Sequence, residues 1–281
     1  MEHIFHIVNV FTRDLGPLTG NPLCVFEDAT GLDTATMQAL ARQFNLSETT
    51  FILPSDKADA RVRIFTPSYE MPFAGHPTLG TAHVVGAQQN KTRLSLEMPA
   101  GIIPVTAEKS RWKLQANKPT WRRVERPAKD VAHLLGVDAG QLAGDPLWVN
   151  AGKEQLVVPL KTQDAVNACH PAGLLGGDLR SVDGHAMAYV FCDDGNSVQA
   201  RFFFPSNGAI VEDPATGSAT ANLGGWYVSQ GRTSLTRTIS QGEKTGRPST
   251  LFLQVDAQGT VFVAGDVVAL GKGTLSLPSA V

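Results

Sequence analysis

Apolar and polar residues alternate with a period of two through most of this chain. Ile4 to Phe11, Phe51 to Leu53, Arg61 to Phe65, Leu94 to Glu97 and Trp112 to Gln115 each read as strands, with turn residues between them. In the second half Trp148 to Leu160, His185 to Cys192 and Gln199 to Phe204 do the same, and Leu251 to Val255, Val261 to Ala264 and Val267 to Leu270 form a closing strand series. The period lengthens to that of a helix in a few places. Leu32 to Phe44 puts Met37, Leu40, Ala41 and Phe44 on one face behind a start signal at Asp33. Thr78 to Gln89 and Ala215 to Gln230 are apolar enough to predict central helices, each wrapped by the mostly antiparallel strands of its own lobe.

Two stretches about 137 positions apart resemble each other. The first runs Arg63-Ile64-Phe65-Thr66-Pro67-Ser68 and then Gly75-His76-Pro77-Thr78-Leu79-Gly80-Thr81-Ala82. The second runs Arg201-Phe202-Phe203-Phe204-Pro205-Ser206 and then Glu212-Asp213-Pro214-Ala215-Thr216-Gly217-Ser218-Ala219. A repeat spanning half the chain predicts two similar lobes with a ligand in the cleft between them, rather than a solenoid. The expected fold class is α+β with two pseudo-symmetric lobes, residues 1–117 and 128–266. Lys118 to Pro127, with two prolines and a cluster of cations, is the expected linker (118–127). The last strand, near 267–281, is left open between the second lobe and a return to the first.

Composition narrows the function. The chain has 281 residues, 42% hydrophobic and 18% charged, long enough for two cores. A net charge of -2 gives no basic footprint for nucleic acid or for an anionic membrane, so a small ligand is expected. No apolar run approaches the ~20 residues that span a bilayer. The opening Met1-Glu2-His3-Ile4-Phe5-His6-Ile7-Val8 reads as a first strand rather than a leader, and a cytoplasmic protein is expected. Cys24, Cys169 and Cys192 lack metal or redox spacing and are expected as buried thiols.

Candidate chemistry sits in three places. Glu48, in Asn45-Leu46-Ser47-Glu48-Thr49-Thr50-Phe51, follows a helix and precedes an apolar strand, where an apolar setting would raise a carboxyl into the range of a general acid/base; the alternative is a solvated or capping glutamate. Gly75-His76-Pro77 opens a helix whose free amides and positive dipole end suit a carboxylate ligand, with His76 beside them; the alternative is a structural loop histidine. Asp213 takes the matching place in the second copy, the alternative being an N-cap for the helix that follows. The remaining histidines have no metal-ligand spacing, and no glycine loop carries a nucleotide fingerprint, so neither metal nor cofactor is expected.

Thr19-Gly20-Asn21-Pro22, Asn45 to Phe51, Phe65-Thr66-Pro67, Pro72-Phe73-Ala74-Gly75-His76-Pro77, Val211 to Ala219, Gln241-Gly242 and Gly246-Arg247-Pro248-Ser249 together resemble the PhzF family of phenazine biosynthesis, in order along essentially the whole chain. The resemblance implies the diaminopimelate epimerase fold, in which each lobe is a barrel-like sheet around a central helix. It also implies a homodimer, no cofactor, and isomerisation of a substrate such as trans-2,3-dihydro-3-hydroxyanthranilate by a hydrogen shift between carbons. By the same resemblance Glu48 is the acid/base, with His76 and Asp213 as its polar partners. Ser47, Gly75, Thr216, Gly217 and Ser218 are the implied substrate contacts. The related amino-acid epimerases use two opposed cysteines at the helix starts, and these loops hold none. An epimerase or racemase of a small carboxylate, with Glu48 and His76 or Asp213 as bases, and a non-catalytic small-molecule binding protein are the alternatives.

Overall fold

A computed structural model describes residues 2–177, 179–206 and 208–277. The chain divides into two compact units, Met1–Gln115 with Ala264–Val281, and Ala116–Val263.

The first unit holds β1 (Glu2–Val10), β2 (Asn21–Phe26), β3 (Thr49–Leu53), β4 (Ala60–Phe65), β5 (Glu70–Met71), β6 (Arg93–Met98), β7 (Gly101–Glu108), β8 (Arg111–Gln115) and most of β17 (Val261–Ser276). Strand pairing runs β17–β1–β2–β3–β4–β6–β7–β8 and returns from β8 to β17, closing an eight-stranded barrel. Two neighbouring pairs, β2–β3 and β4–β6, are parallel. A parallel pair cannot be joined by a tight hairpin and needs a crossover. Helix α1 (Thr34–Phe44) supplies the first, and β5 followed by α2 (Gly75–Gln89) supplies the second.

These two helices differ because their sequences do. The Asp33 side chain accepts from the Thr36 amide and starts α1, whose Met37, Leu40 and Ala41 pack with Cys24, Phe26, Phe51 and Phe65. The other side of α1 is polar. Helix α2 has no polar face: Leu79, Ala82, Val84 and Val85 are buried together with Gly75, His76, Thr78 and Thr81, and the helix contacts β1, β2, β3, β4, β6 and β8. A helix buried on all sides needs small residues where strands crowd it. A Cβ at Gly80 would come within 2.6 Å of Leu23 Cδ2 and 2.9 Å of Val10 Cγ2.

The second unit repeats the plan with β9 (Thr120–Arg123), β10 (Leu147–Asn150), β11 (Glu154–Pro159), β12 (Ala188–Asp193), β13 (Ser197–Ser206), β14 (Ala209–Asp213), β15 (Leu235–Gln241) and β16 (Ser249–Val255). Its pairing order is β9–β10–β11–β12–β13–β15–β16, again with two parallel pairs, β11–β12 and β13–β15. The crossovers again contain helices, α4 (Gln163–Ala168) and the buried α5 (Gly217–Ser229); α3 (Ala128–Leu134) is an addition. The duplication therefore extends to strand order and to the sense of each pair.

Residues 118–127, expected as a linker, begin the second unit. Pro119 and Pro127 bracket a stretch that extends as β9 against β10. Arg122 is held there by a bidentate bond to Glu154, both at 3.0 Å, and lies 5.1 Å from the Trp148 ring centre. Val261 to Ala264 and Val267 to Leu270, read as separate strands, are parts of one, β17, whose later residues pair with β1. No helix among the described residues is long and apolar enough to cross a membrane. Cys24, Cys169 and Cys192 are free and buried.

Candidate functional site

Glu48 is placed by the end of α1. Asn45 adopts the left-handed conformation (φ 52°) and its amide donates to the Ala41 carbonyl, which stops the helix. Leu46 turns back against the Phe26 and Phe51 cluster, Ser47 stays exposed, and Glu48 enters β3 beside buried Thr49 and Thr50. The Glu48 side chain is 16% exposed, and its Oε2 lies 3.5 Å from His76 Nδ1.

His76 is the second residue of α2 and is 6% exposed. Burial pushes the imidazole down to about 3, while a hydrogen bond to the Pro22 backbone acts in the opposite direction. Proline has no amide proton, so the imidazole N–H donates and the Pro22 carbonyl accepts. The contact with Glu48 falls within ion-pair distance, and burial favours the neutral form of the ring. Ala74, extended at φ −153°, precedes the helix without a side-chain cap, and no acidic residue occupies the first turn. The Gly75 and His76 amides thus open α2 without a capping side chain from Ala74.

The second unit places Asp213 at the end of β14, before α5 begins. Its Oδ2 accepts from Thr216 Oγ1 at 2.5 Å. Gln241, buried at the end of β15, donates from Nε2 to the Asp213 carbonyl at 2.8 Å and to Thr216 Oγ1 at 3.0 Å, and its Oε1 accepts from the Thr216 amide. The N-cap position of α5 is Thr216, whose side chain makes no capping bond, and Asp213 lies three residues before it. Ser218, the second residue of α5, accepts from Gln155 Nε2 at 3.0 Å.

The structural match between the two units differs from the one read in sequence. Arg63 bonds Glu70 bidentately and lies over Phe65, and Arg201 bonds Glu212 and lies over Phe203 in the same way. From those glutamates the two chains reach Gly75 and Gly217, the first residues of α2 and α5, after equal numbers of residues. His76 therefore corresponds to Ser218, and Asp213 to Met71. Sequence alignment pairs His76 with Asp213 because the hairpin of β13 and β14 is longer than the turn Thr66 to Tyr69.

Each unit thus collects part of the expected set: Ser47, Glu48, Gly75 and His76 in the first, Asp213, Thr216, Gly217 and Ser218 in the second. Sequence reasoning passed over several residues that hold them. Gln155 is a polar residue inside the wholly buried strand β11, and Asn222 stands between Ala221 and Leu223 in the central helix; both are visible in sequence as polar residues in apolar surroundings. Tyr69 had no such signal. Its phenol is pushed up by burial and then by the Glu48 charge, which puts it within electrostatic reach of that carboxyl. Among the described residues no group of three or more His, Cys, Asp or Glu side chains is arranged to hold a metal ion.

The model of the phenazine biosynthesis-like protein family matches residues 8–273. A Pasteurella multocida protein described as an uncharacterized isomerase is 40% identical, the match covering 99% of this chain and 95% of the relative. The trans-2,3-dihydro-3-hydroxyanthranilate isomerase of Pseudomonas fluorescens is 37% identical over 98% of this chain and 100% of its own. In fold, a Bacillus anthracis protein of the PhzF family superposes with a TM-score of 0.85 at 24% identity, covering 99% of this chain and 100% of that one. With its duplicated α+β units of the diaminopimelate epimerase type and its match along nearly the whole length, the chain belongs to the phenazine biosynthesis-like family and is an isomerase of the PhzF type.

Proposed function

We propose that this isomerase moves a proton between two carbons of a small carboxylate without a cofactor, using Glu48 as the carrier. The observation that carries the reading is the contact of Glu48 Oε2 with a buried, neutral His76 at the uncapped start of α2. In the first step the Glu48 carboxylate takes a proton from a substrate C–H bond, whose electron pair passes into the adjoining unsaturated system. In the second the Glu48 carboxylic acid returns that proton to a different carbon and is again a carboxylate. One residue serves both steps, and nothing is oxidised or reduced. Positioned acid/base catalysis of this kind is worth on the order of 10² to 10⁴ in rate, and helix-end dipoles facing developing negative charge add to it.

The roles of the other residues belong to the same proposal. Neutral His76 cannot compete for the proton and serves as a fixed polar wall beside Glu48. The amides of Gly75 and Gly217, with Ser47, Thr216 and Ser218, take the substrate's carboxylate and polar groups, and Asp213 orients the substrate through the rigid unit it forms with Thr216 and Gln241. Trans-2,3-dihydro-3-hydroxyanthranilate, named for the Pseudomonas fluorescens relative, is the first substrate to try. A homodimer in the cytoplasm completes the proposal.

The test is proton NMR in deuterated buffer with that compound and a panel of cyclic and amino-acid carboxylates, using Glu48→Gln as control. Solvent deuterium at a new carbon with displacement of a double bond is expected from the wild type and not from the variant. Deuterium at a single stereocentre with no bond shift would replace the proposal with an epimerase. Binding without any exchange across the panel would replace it with a binding protein.

A further inference from the structure

A chain of side-chain amides runs from the backbone of the second unit to Ser218, and its direction is fixed. Asn222 is fully buried in the middle of α5. Its Oδ1 accepts from the Ala151 amide at 2.7 Å, and its Nδ2 donates to the Lys153 carbonyl at 2.8 Å. A backbone N–H can only donate and a backbone carbonyl can only accept, so the Asn222 amide has one permitted orientation. Its second Nδ2 contact, 2.7 Å to Gln155 Oε1, then forces the oxygen of Gln155 toward Asn222 and the nitrogen away from it. That nitrogen donates to Ser218 Oγ at 3.0 Å. Gln155 is buried on β11, 2% exposed.

Ser218 is therefore committed as an acceptor on its inner side. The proton of its hydroxyl has no acceptor among the described residues and is carried in the first turn of α5, where the neighbouring Asp213 carboxylate already accepts from the Thr216 hydroxyl. We infer that Gln155 and Asn222 are positioning residues that preset Ser218 as a hydrogen-bond donor, so that this end of the site selects a ligand by a carboxylate oxygen. The inference rests on the proposed isomerase reading and adds to it a source of selectivity outside the residues that touch substrate. Two groups converge on the same oxygen: the helix amides, which any anion could use, and a hydroxyl whose direction the buried amides dictate.

Reversing the chain tests it. Gln155→Glu keeps the size of the side chain but offers only acceptors when ionised, so it draws the Ser218 proton inward. With trans-2,3-dihydro-3-hydroxyanthranilate, Gln155→Glu and Ser218→Ala should each raise KM on the order of tenfold, with kcat changed much less, because a hydrogen bond to a charged carboxylate is lost in ground and transition state alike. The double variant should be no worse than the poorer single variant. Additive losses would instead mark plain charge repulsion and overturn the inference, as would a Gln155→Met variant that costs as much as Gln155→Glu, since methionine leaves Ser218 free to donate. A second readout is independent of any substrate. In the unliganded protein labelled with nitrogen-15, the Gln155 side-chain amide should shift and exchange faster in Ser218→Ala. An unchanged resonance would refute the chain even if the isomerase reading held. A wild type that neither turns over nor binds the compound would sink that substrate while this measurement still decides the chain.

Discussion

His76 sets the electrostatics around Glu48 because it is neutral. Its folded value, about 3 against an ordinary 6.5, means that the unfolded chain binds a proton at this residue that the folded chain refuses between those two pH values. Stability from this group is thus complete above pH 6.5 and is lost as pH falls toward 3, with a slope of at most about 1.4 kcal/mol per pH unit. Urea unfolding at pH 4.5, 5.5 and 7 should show wild type losing stability faster than His76→Gln over that interval; parallel losses would mean that the ring is not buried neutral. Glu48→Gln keeps the side chain's volume and removes its titration, so kcat should fall by at least about 10² with the melting temperature nearly unchanged. The positions of Glu48 and His76 were legible in the chain because each abuts a recognisable boundary, a helix end and a glycine-proline turn. The neutrality of His76 was not, since it depends on burial by strands that pack around α2 from distant parts of the sequence, against the opposing pull of the Pro22 carbonyl.

Among the elements, periodicity worked best where one face differs from the other. Helix α1 begins behind Asp33 as its pattern implies. Helix α2 begins at Gly75, three residues before the apolar pattern at Thr78 and where Gly75-His76-Pro77 is read as opening it, since proline is tolerated in a first helical turn where its missing N–H has no partner to lose. The split of β17 was misread at Gly265, which stays in the strand because the Phe11 ring fills the place of its side chain: a Cβ there would lie 2.1 Å from Phe11 Cδ1. Helices α3 and α4 span seven and six residues, too short to display a period. The small residues of α2 have a measurable consequence. A Cβ at Gly86 would lie 2.6 Å from the Trp112 ring and 2.7 Å from the Lys91 carbonyl oxygen. Gly86→Ala should therefore destabilise by about 1 to 3 kcal/mol in denaturant titration despite alanine's better helix propensity, worth up to about 1 kcal/mol. A stabilised variant would mean that the helix sits loosely in its barrel.

For the molecule as a whole, the C-terminal strand decides whether the first unit can close. Residues Ala264 onward belong to that unit and supply the strand between β1 and β8. A chain ending at Val263 should expose the α2 amides to hydrogen exchange at rates near those of an unfolded segment, while α5 and its sheet keep their protection. Retained protection in α2 would show that the other strands close without β17. The sequence by itself determined the α+β class, the duplication, the buried central helices and the chemical types at Glu48, His76, Asp213 and Ser218, because local periodicity and repeated motifs are written in neighbouring residues. Only the tertiary structure decided that His76 corresponds to Ser218 rather than to Asp213, and that a neutral imidazole stands beside Glu48. It also decided that the amides of Asn222 and Gln155 point one way. Each of these depends on strand pairing and burial between residues distant in the chain, where hydrogen-bond direction and desolvation are set by partners that no local pattern names.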